Sequence, residues 1–372
     1  MTNPGVTNPA PAQRQAESPQ AASPRAESLI ARAARALLTQ RIVLLAVLIV
    51  IVVAWFMLLG ATGYLTGPYN TDYLAAALIN AVPLAMLGCA QLIVILSGAG
   101  GIDLSVGAIV SLAGMIFGFA YGQWGWPLWL AVIITVLAGG LLGLLNGTLV
   151  AYVGFPALIA TLATYYGYKS LAVVINNQLP ISTKPIQDLY EATAQSVSLP
   201  FIGDLIPDFP KGLFLFLIPT LLAVWLLLAR TSYGRRVYAI GTNDVAARWS
   251  AINVQSTRAA AYALSGLISG LVAVVTVGQF ASARPDAGVS GNGMALPAIT
   301  IAVLGGVAIT GGVGRVAGIV LATILLVWTN AGIRLAFEGN AGPQYQLLAL
   351  GLLLVLSALL NSFSMRRFGG VS

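Results

Sequence analysis

Residues 41–61 read RIVLLAVLIVIVVAWFMLLGA, one arginine followed by twenty uncharged residues. The hydrocarbon core of a bilayer is about 30 Å thick and takes about 20 apolar residues of α-helix to cross. This stretch is therefore read as a membrane span. It is too long for a typical signal-peptide core, and no small-residue cleavage pattern before a polar mature chain follows it, so the span is read as retained. Upstream, residues 1–40 are rich in Ala, Pro, Gln, Ser and Arg and read as a disordered tail. Downstream, apolar stretches near 73–97, 105–122, 127–151, 156–175, 212–230, 259–280, 294–310, 316–336 and 344–361 bring the expectation to about ten transmembrane helices. Pro83 and Pro297 fall inside the second and eighth stretches, where each frees a carbonyl and invites a kink or break. The expected fold is an all-α polytopic membrane protein, with a transmembrane domain over 41–365 and a short tail over 366–372.

Composition points the same way. Of 372 residues, 58% are hydrophobic and 8% charged, against roughly 25% charged in an ordinary soluble domain. There is no histidine, and the single cysteine, Cys89, sits in an apolar run. A His or Cys metal site cannot be built, no disulfide can close within the chain, and Cys89 reads as a small core hydrophobe.

The net charge of +7 is a topology signal and not a nucleic-acid footprint. Ten spans put both termini on one side, and that side collects thirteen cations: Arg14, Arg25, Arg32, Arg35, Arg41, Arg230, Arg235, Arg236, Arg248, Arg258, Arg315, Arg366 and Arg367. The opposite loops hold Lys184, Lys211 and Arg284, while Lys169 and Arg334 fall within spans. The thirteen-cation side is expected to be cytoplasmic. The longest outer loop, 176–211, carries Asp188, Glu191, Asp204 and Asp208 and is suited to docking an external partner.

GGIDLSVGAIV at 100–110 aligns with GGVGRVAGIVL at 311–321, placing Gly101 over Gly312 and Gly107 over Gly318. Two related halves of about five spans, with broken or re-entrant Gly-rich segments at matching positions, are a transporter habit. Chance likeness between Gly-rich turns is the plainer explanation. Within the first copy, Asp103 is a carboxylate with apolar sequence on both sides, and it either lines a pathway or caps the helix that begins near Leu104. The segment is not a phosphate loop, because no Gly-Lys followed by Ser or Thr occurs in it.

The inner loop 231–258, TSYGRRVYAIGTNDVAARWSAINVQSTR, is long for a connection and contains an amphipathic stretch around 245–252. Asn243 or Asp244 can cap a short helix there, Ala246 and Ala247 allow close approach, and Arg248 presents charge. Such a helix either docks to an aqueous subunit or lies on anionic headgroups. In VGFPALIATLATYYGYKSLAVVI, 153–175, Thr161, Thr164, Tyr165, Tyr166 and Tyr168 serve helix packing or line a path for a sugar-sized polar solute. Asn80, Gln91 and Asn146 are further polar groups inside spans, with the same two readings.

Four ordered blocks, GGIDLSVGAIVSLAG at 100–114, FPALIATLATYYGYKSLAVVI at 155–175, TSYGRRVYAIGTNDVAARWSAINV at 231–254 and LPAITIAVLGGVAITGGVGRVAGIVLATIL at 296–325, resemble the permease subunits of ribose-type ABC importers, which carry monosaccharides and related solutes. The likeness runs from about 70 to 361. It implies that NDVAARWSAINV contacts a cytoplasmic ATP-binding subunit, with Asn243, Ala246, Ala247, Arg248 and Ile252 on the family pattern and Asp244 beside them. Ala251 departs from that pattern, where the family usually has Gly. It further implies alternating access by two permease chains, an external or periplasmic solute-binding protein, and location in a bacterial cytoplasmic membrane. ATP and Mg would be held by the partner subunit, with no cofactor on this chain.

Two other classes compete. A self-contained, ion-coupled secondary transporter would need titratable groups near the midplane, and Asp103, Lys169 and Arg334 all lie near span ends. A membrane enzyme would need a nucleophile with an adjacent base, or paired carboxylates, and neither can be read from these spans.

Overall fold

The computed structural model describes residues 41–198, 206–290 and 293–368, with side chains as far as residue 359. The tail expected over 1–40, Asp204 of the outer loop and the last residues of the C-terminal tail lie outside the described residues.

Each of the ten apolar stretches is helical. The first is α1, Arg41–Ala61. The second is a pair, α2 (Thr71–Ala77) and α3 (Ala81–Leu96), bent by 51°. Then come α4 (Val106–Phe117) with a π-helical end Gly118–Gln123, α5 (Leu128–Thr148) with a π-helical end Leu149–Val153, and α6 (Ala157–Val174). The outer loop folds into α7 (Lys184–Asp188), α8 (Tyr190–Thr193) and a two-stranded antiparallel ladder, β1 (Ser196–Val197) with β2 (Phe209–Pro210). A π-helical entry, Leu213–Leu217, leads into α9 (Ile218–Arg230). The inner loop forms α10 (Ser232–Thr242) and α11 (Asp244–Trp249), followed by α12 (Val254–Gln279), α13 (Ala295–Leu304), α14 (Val316–Ala336) and α15 (Ala341–Phe368).

Among the described residues, seven helices, or eight counting the bent α2–α3 pair, are long and apolar enough to cross a membrane, fewer than the ten expected. The difference lies in α6 and α13. The 18 residues of α6 include Thr161, Thr164, three tyrosines and Lys169, which dilute its apolarity. At 10 residues, α13 is about 15 Å long, half the hydrocarbon core. It stops at Gly305, after which Gly306, Gly311 and Gly312 adopt positive φ and turn the chain back. The second stretch breaks at 78–80, one turn before Pro83, which lies in the first turn of α3, where a missing N–H has no partner to lose; Pro297 holds the same place in α13.

The core is built on α3, buried along all of its length except Leu84, and on α12. Gly139, Gly143 and Gly147 of α5 face Ala259, Gly266 and Gly270 of α12 in backbone contact. A Cβ at Gly147 would lie 2.6 Å from the Ala259 carbonyl oxygen, so only glycine permits this approach. Small residues spaced by four form such a seam because they share one helix face. The other face of α5 exposes Leu137, Leu141, Leu144 and Leu145, as a lipid-facing surface does.

The two ends of the bundle differ. At one, the start of α1, the turns 97–105 and 305–315, and α10–α11 come together: Arg41 packs on Gly306, and the Gly312 N–H donates to the Leu96 carbonyl at 3.1 Å. At the other, Thr66 bonds the Leu335 carbonyl, Tyr69 the Trp328 carbonyl, and the outer loop closes over α4 and α12 through an Ile181–Ala283 bridge.

Candidate coupling and translocation site

The inner loop is a built structure. Asn243 is extended, and its Oδ1 accepts from the Val245 and Ala246 N–H groups, both at 3.0 Å, so Asn243 is the cap and Asp244 the first helical residue of α11. The far end closes with Ile252 N–H donating to the Ala247 carbonyl at 3.1 Å, around Ala251 at φ +57°. That is a left-handed helix stop, the geometry that favours glycine. Ala247 points inward, 4% exposed, onto Ile240 and Val254 with Ile252 beside them. The outward face is Val245, Arg248 and Trp249, the last 88% exposed.

Directly behind α11 lie the two Gly-rich turns. A Cβ at Gly98 would sit 2.9 Å from the Gly241 Cα, and one at Gly311 would sit 2.5 Å from the Gly98 Cα. Tyr238 of α10 donates its hydroxyl to the Gly314 carbonyl at 2.7 Å. Burial pushes that phenol above its ordinary range, against the opposing charge of Arg315, so it keeps the proton it donates. The aligned segments 100–110 and 311–321 thus follow apolar helices and open α4 and α14, and Gly98, just before the first, and Gly311, at the start of the second, touch beside α10.

Four residues singled out from sequence converge behind the first turn. Asp103 is fully buried: Oδ1 accepts from the Ser105 N–H at 2.9 Å and the Ser105 hydroxyl at 2.6 Å, and Oδ2 accepts from the Ser265 hydroxyl at 3.2 Å. Gln91 grips the Asp103 backbone, its Nε2 donating to the carbonyl at 2.5 Å and its Oε1 accepting from the N–H at 3.3 Å. Asn146 Nδ2 donates to Ser105 Oγ at 2.7 Å, and the Thr161 hydroxyl reaches the Ile102 carbonyl at 3.3 Å. All four are sealed from solvent, so the cluster pins the turn to α3, α5, α6 and α12. The carboxylate bonds the Ser105 N–H, but Ser105 is the cap residue of α4 and no side chain caps the helix itself.

Asn80 and Tyr165 lie elsewhere. Asn80 borders a cleft of about 340 Å³ at the end of the bundle away from α10–α11, with Tyr73, Asn330, Arg334 and Gln346. Tyr165 borders a separate cavity of about 280 Å³ with Leu104, Leu162, Val289 and Met294. Sequence reading missed Trp249, Ser105, Ser265 and the α5–α12 seam. The Gly139-x-x-x-Gly143-x-x-x-Gly147 spacing was a readable signal for the last, whereas nothing local marks Ser265 as a partner of Asp103.

The structure is thus a multi-helix membrane protein with a capped loop helix, α11, beside two Gly-rich turns. The family described as branched-chain amino acid transport system / permease component matches residues 73–358, and the chain belongs to it. It is the transmembrane subunit of a sugar-type ABC importer, a multi-pass inner-membrane protein. Among its relatives are the autoinducer 2 import system permease protein LsrD of Salmonella typhimurium (strain LT2), 35% identical over 299 residues, 80% of this chain and 83% of the relative. The LsrD proteins of Yersinia enterocolitica and Escherichia coli O9:H4 are each 34% identical, covering 80% of this chain and 83% and 84% of their own lengths. No solved structure matches the chain significantly. These matches give no support to a self-contained ion-coupled carrier.

Proposed function

We propose that α11 is the contact through which a cytoplasmic ATP-binding subunit drives this permease, with Val245, Arg248 and Trp249 as the touching face and Asn243, Asp244, Ala246, Ala247 and Ile252 as its frame. The observation that carries this reading is Trp249, 88% exposed on a six-residue helix that the chain takes care to cap at both ends. Exposed tryptophan beside arginine is the composition of an interface centre. In this reading ATP and Mg are held and turned over by that subunit, both termini and α11 are cytoplasmic, and residues 176–211 face an external solute-binding protein.

The solute we infer is a monosaccharide or a related small polar molecule; the relatives are named for the import of autoinducer 2. A second permease chain completes the pathway. Asn80 and Tyr165, which border cavities, are the lining candidates, and Gln91, Asp103, Asn146 and Thr161, sealed in one cluster that fixes the first Gly-rich turn, are the candidates for the gate.

The test is Arg248→Glu and Trp249→Ala in the complete complex reconstituted in liposomes. Both variants should insert and fold, yet lose retention of the ATP-binding subunit or uncouple its hydrolysis from uptake. Normal retention together with normal transport would remove α11 from the interface.

A further inference from the structure

Arg258 was counted among the inner cations, but it is unlike the others. Arg235, Arg236 and Arg248 are exposed, whereas Arg258 is 7% exposed in the second turn of α12. A buried guanidinium is tolerated only when paired and hydrogen-bonded. Its Nη2 lies 2.8 and 2.9 Å from the two carboxylate oxygens of Asp244, the first residue of α11, and 3.0 Å from the Ser97 carbonyl that closes α3. Two turns further along the same face of α12, Ser265 holds Asp103, at the other end of the turn that Ser97 begins.

One side chain therefore joins three elements: the docking helix, the first Gly-rich turn and α12. Towards α10 the turn meets glycine backbones, Gly98 against Gly241 and Gly311, which touch without interlocking, while the polar cluster around Asp103 holds its far end. Glycine contacts permit sliding; a paired guanidinium resists it, because displacing α11 alone would leave a buried charge without its partner.

We propose that Arg258 is the positioning residue that makes α11, the turn 97–105 and the inner half of α12 move as one body, so that a displacement imposed on α11 reaches the helices α3 and α4 that the turn connects. This rests on the reading that α11 meets the ATP-binding subunit.

The experiment uses the full complex, permease with its ATP-binding subunit and binding protein, in liposomes, measuring subunit retention, ATP hydrolysis and solute uptake together. Arg258→Gln should keep the ATP-binding subunit and its basal hydrolysis while uptake per ATP falls at least fivefold. Arg258→Lys, which keeps the charge but not the planar fork, should recover part of that ratio. Should Arg258→Gln fail to fold, Asp244→Asn leaves the guanidinium bonded to Ser97 and should lower the ratio in the same direction. An unchanged ratio in a folded Arg258→Gln or Asp244→Asn complex overturns the proposal while leaving the docking reading intact. Retention of the subunit by a Ser250→Cys chain, otherwise unchanged, after α11 is blocked by a bulky label at that cysteine would instead overturn the docking reading itself.

Discussion

Ala251 shows how one residue can carry both the resemblance and the departure from it. Its φ of +57° is a conformation that costs an L-residue about 1–2 kcal/mol, and it is the position where the family usually has glycine. Ala251→Gly should raise stability by about 0.5–1 kcal/mol once the entropy glycine adds to the unfolded chain is deducted, read as a higher melting temperature in detergent. Asp103 makes the complementary case for polar groups. Asp103→Asn keeps an oxygen for the Ser105 N–H, whereas Asp103→Ala strands that donor and the Ser265 hydroxyl inside the core. The alanine variant should lose about 1–3 kcal/mol more than the asparagine variant, measured by the same melts.

At the scale of elements, the α5–α12 seam is an unforgiving contact. A side chain at Gly143 would enter the Tyr262 carbonyl and the Gly266 backbone, and helix backbone cannot give way as a flexible side chain can. Gly143→Leu should therefore cost more than about 3 kcal/mol and yield little monodisperse protein. Gly351→Leu on α15, where nothing lies within 4 Å, should be neutral by the same size-exclusion measurement. The seam was legible in the four-residue glycine spacing of 139–147. The shortness of α13 was not, because apolar residues continue past Leu304 while the glycines of 305–312 turn the backbone.

For the whole molecule, the gathering of α1's start, both Gly-rich turns and α10–α11 at one end matches the side that collected the cations. Orientation follows as a prediction that uses the chain's chemistry, since its one cysteine, Cys89, is buried and silent. Ser182→Cys should react with a membrane-impermeant thiol reagent on intact cells, and Ser250→Cys only after permeabilisation; the reverse pattern would invert the topology. The pathway candidates read from sequence divide at this scale. Four of the six lie in one sealed cluster and two border separate cavities, a partition that depends on which helices are neighbours.

The sequence by itself determined that the chain crosses a membrane, where most of the helices lie, and that a capped helix stands in the loop 231–258. Apolar length, charge bias and capping chemistry act over a few residues or one span, so they can be read locally. Only the tertiary structure decided that Asp103 meets Ser265, that Arg258 meets Asp244 and Ser97, and that the two Gly-rich turns touch. The Asp103–Ser265 and Arg258–Ser97 contacts join residues more than 150 positions apart. They depend on α12 packing beside the turn 97–105, a choice of neighbours that no local pattern encodes.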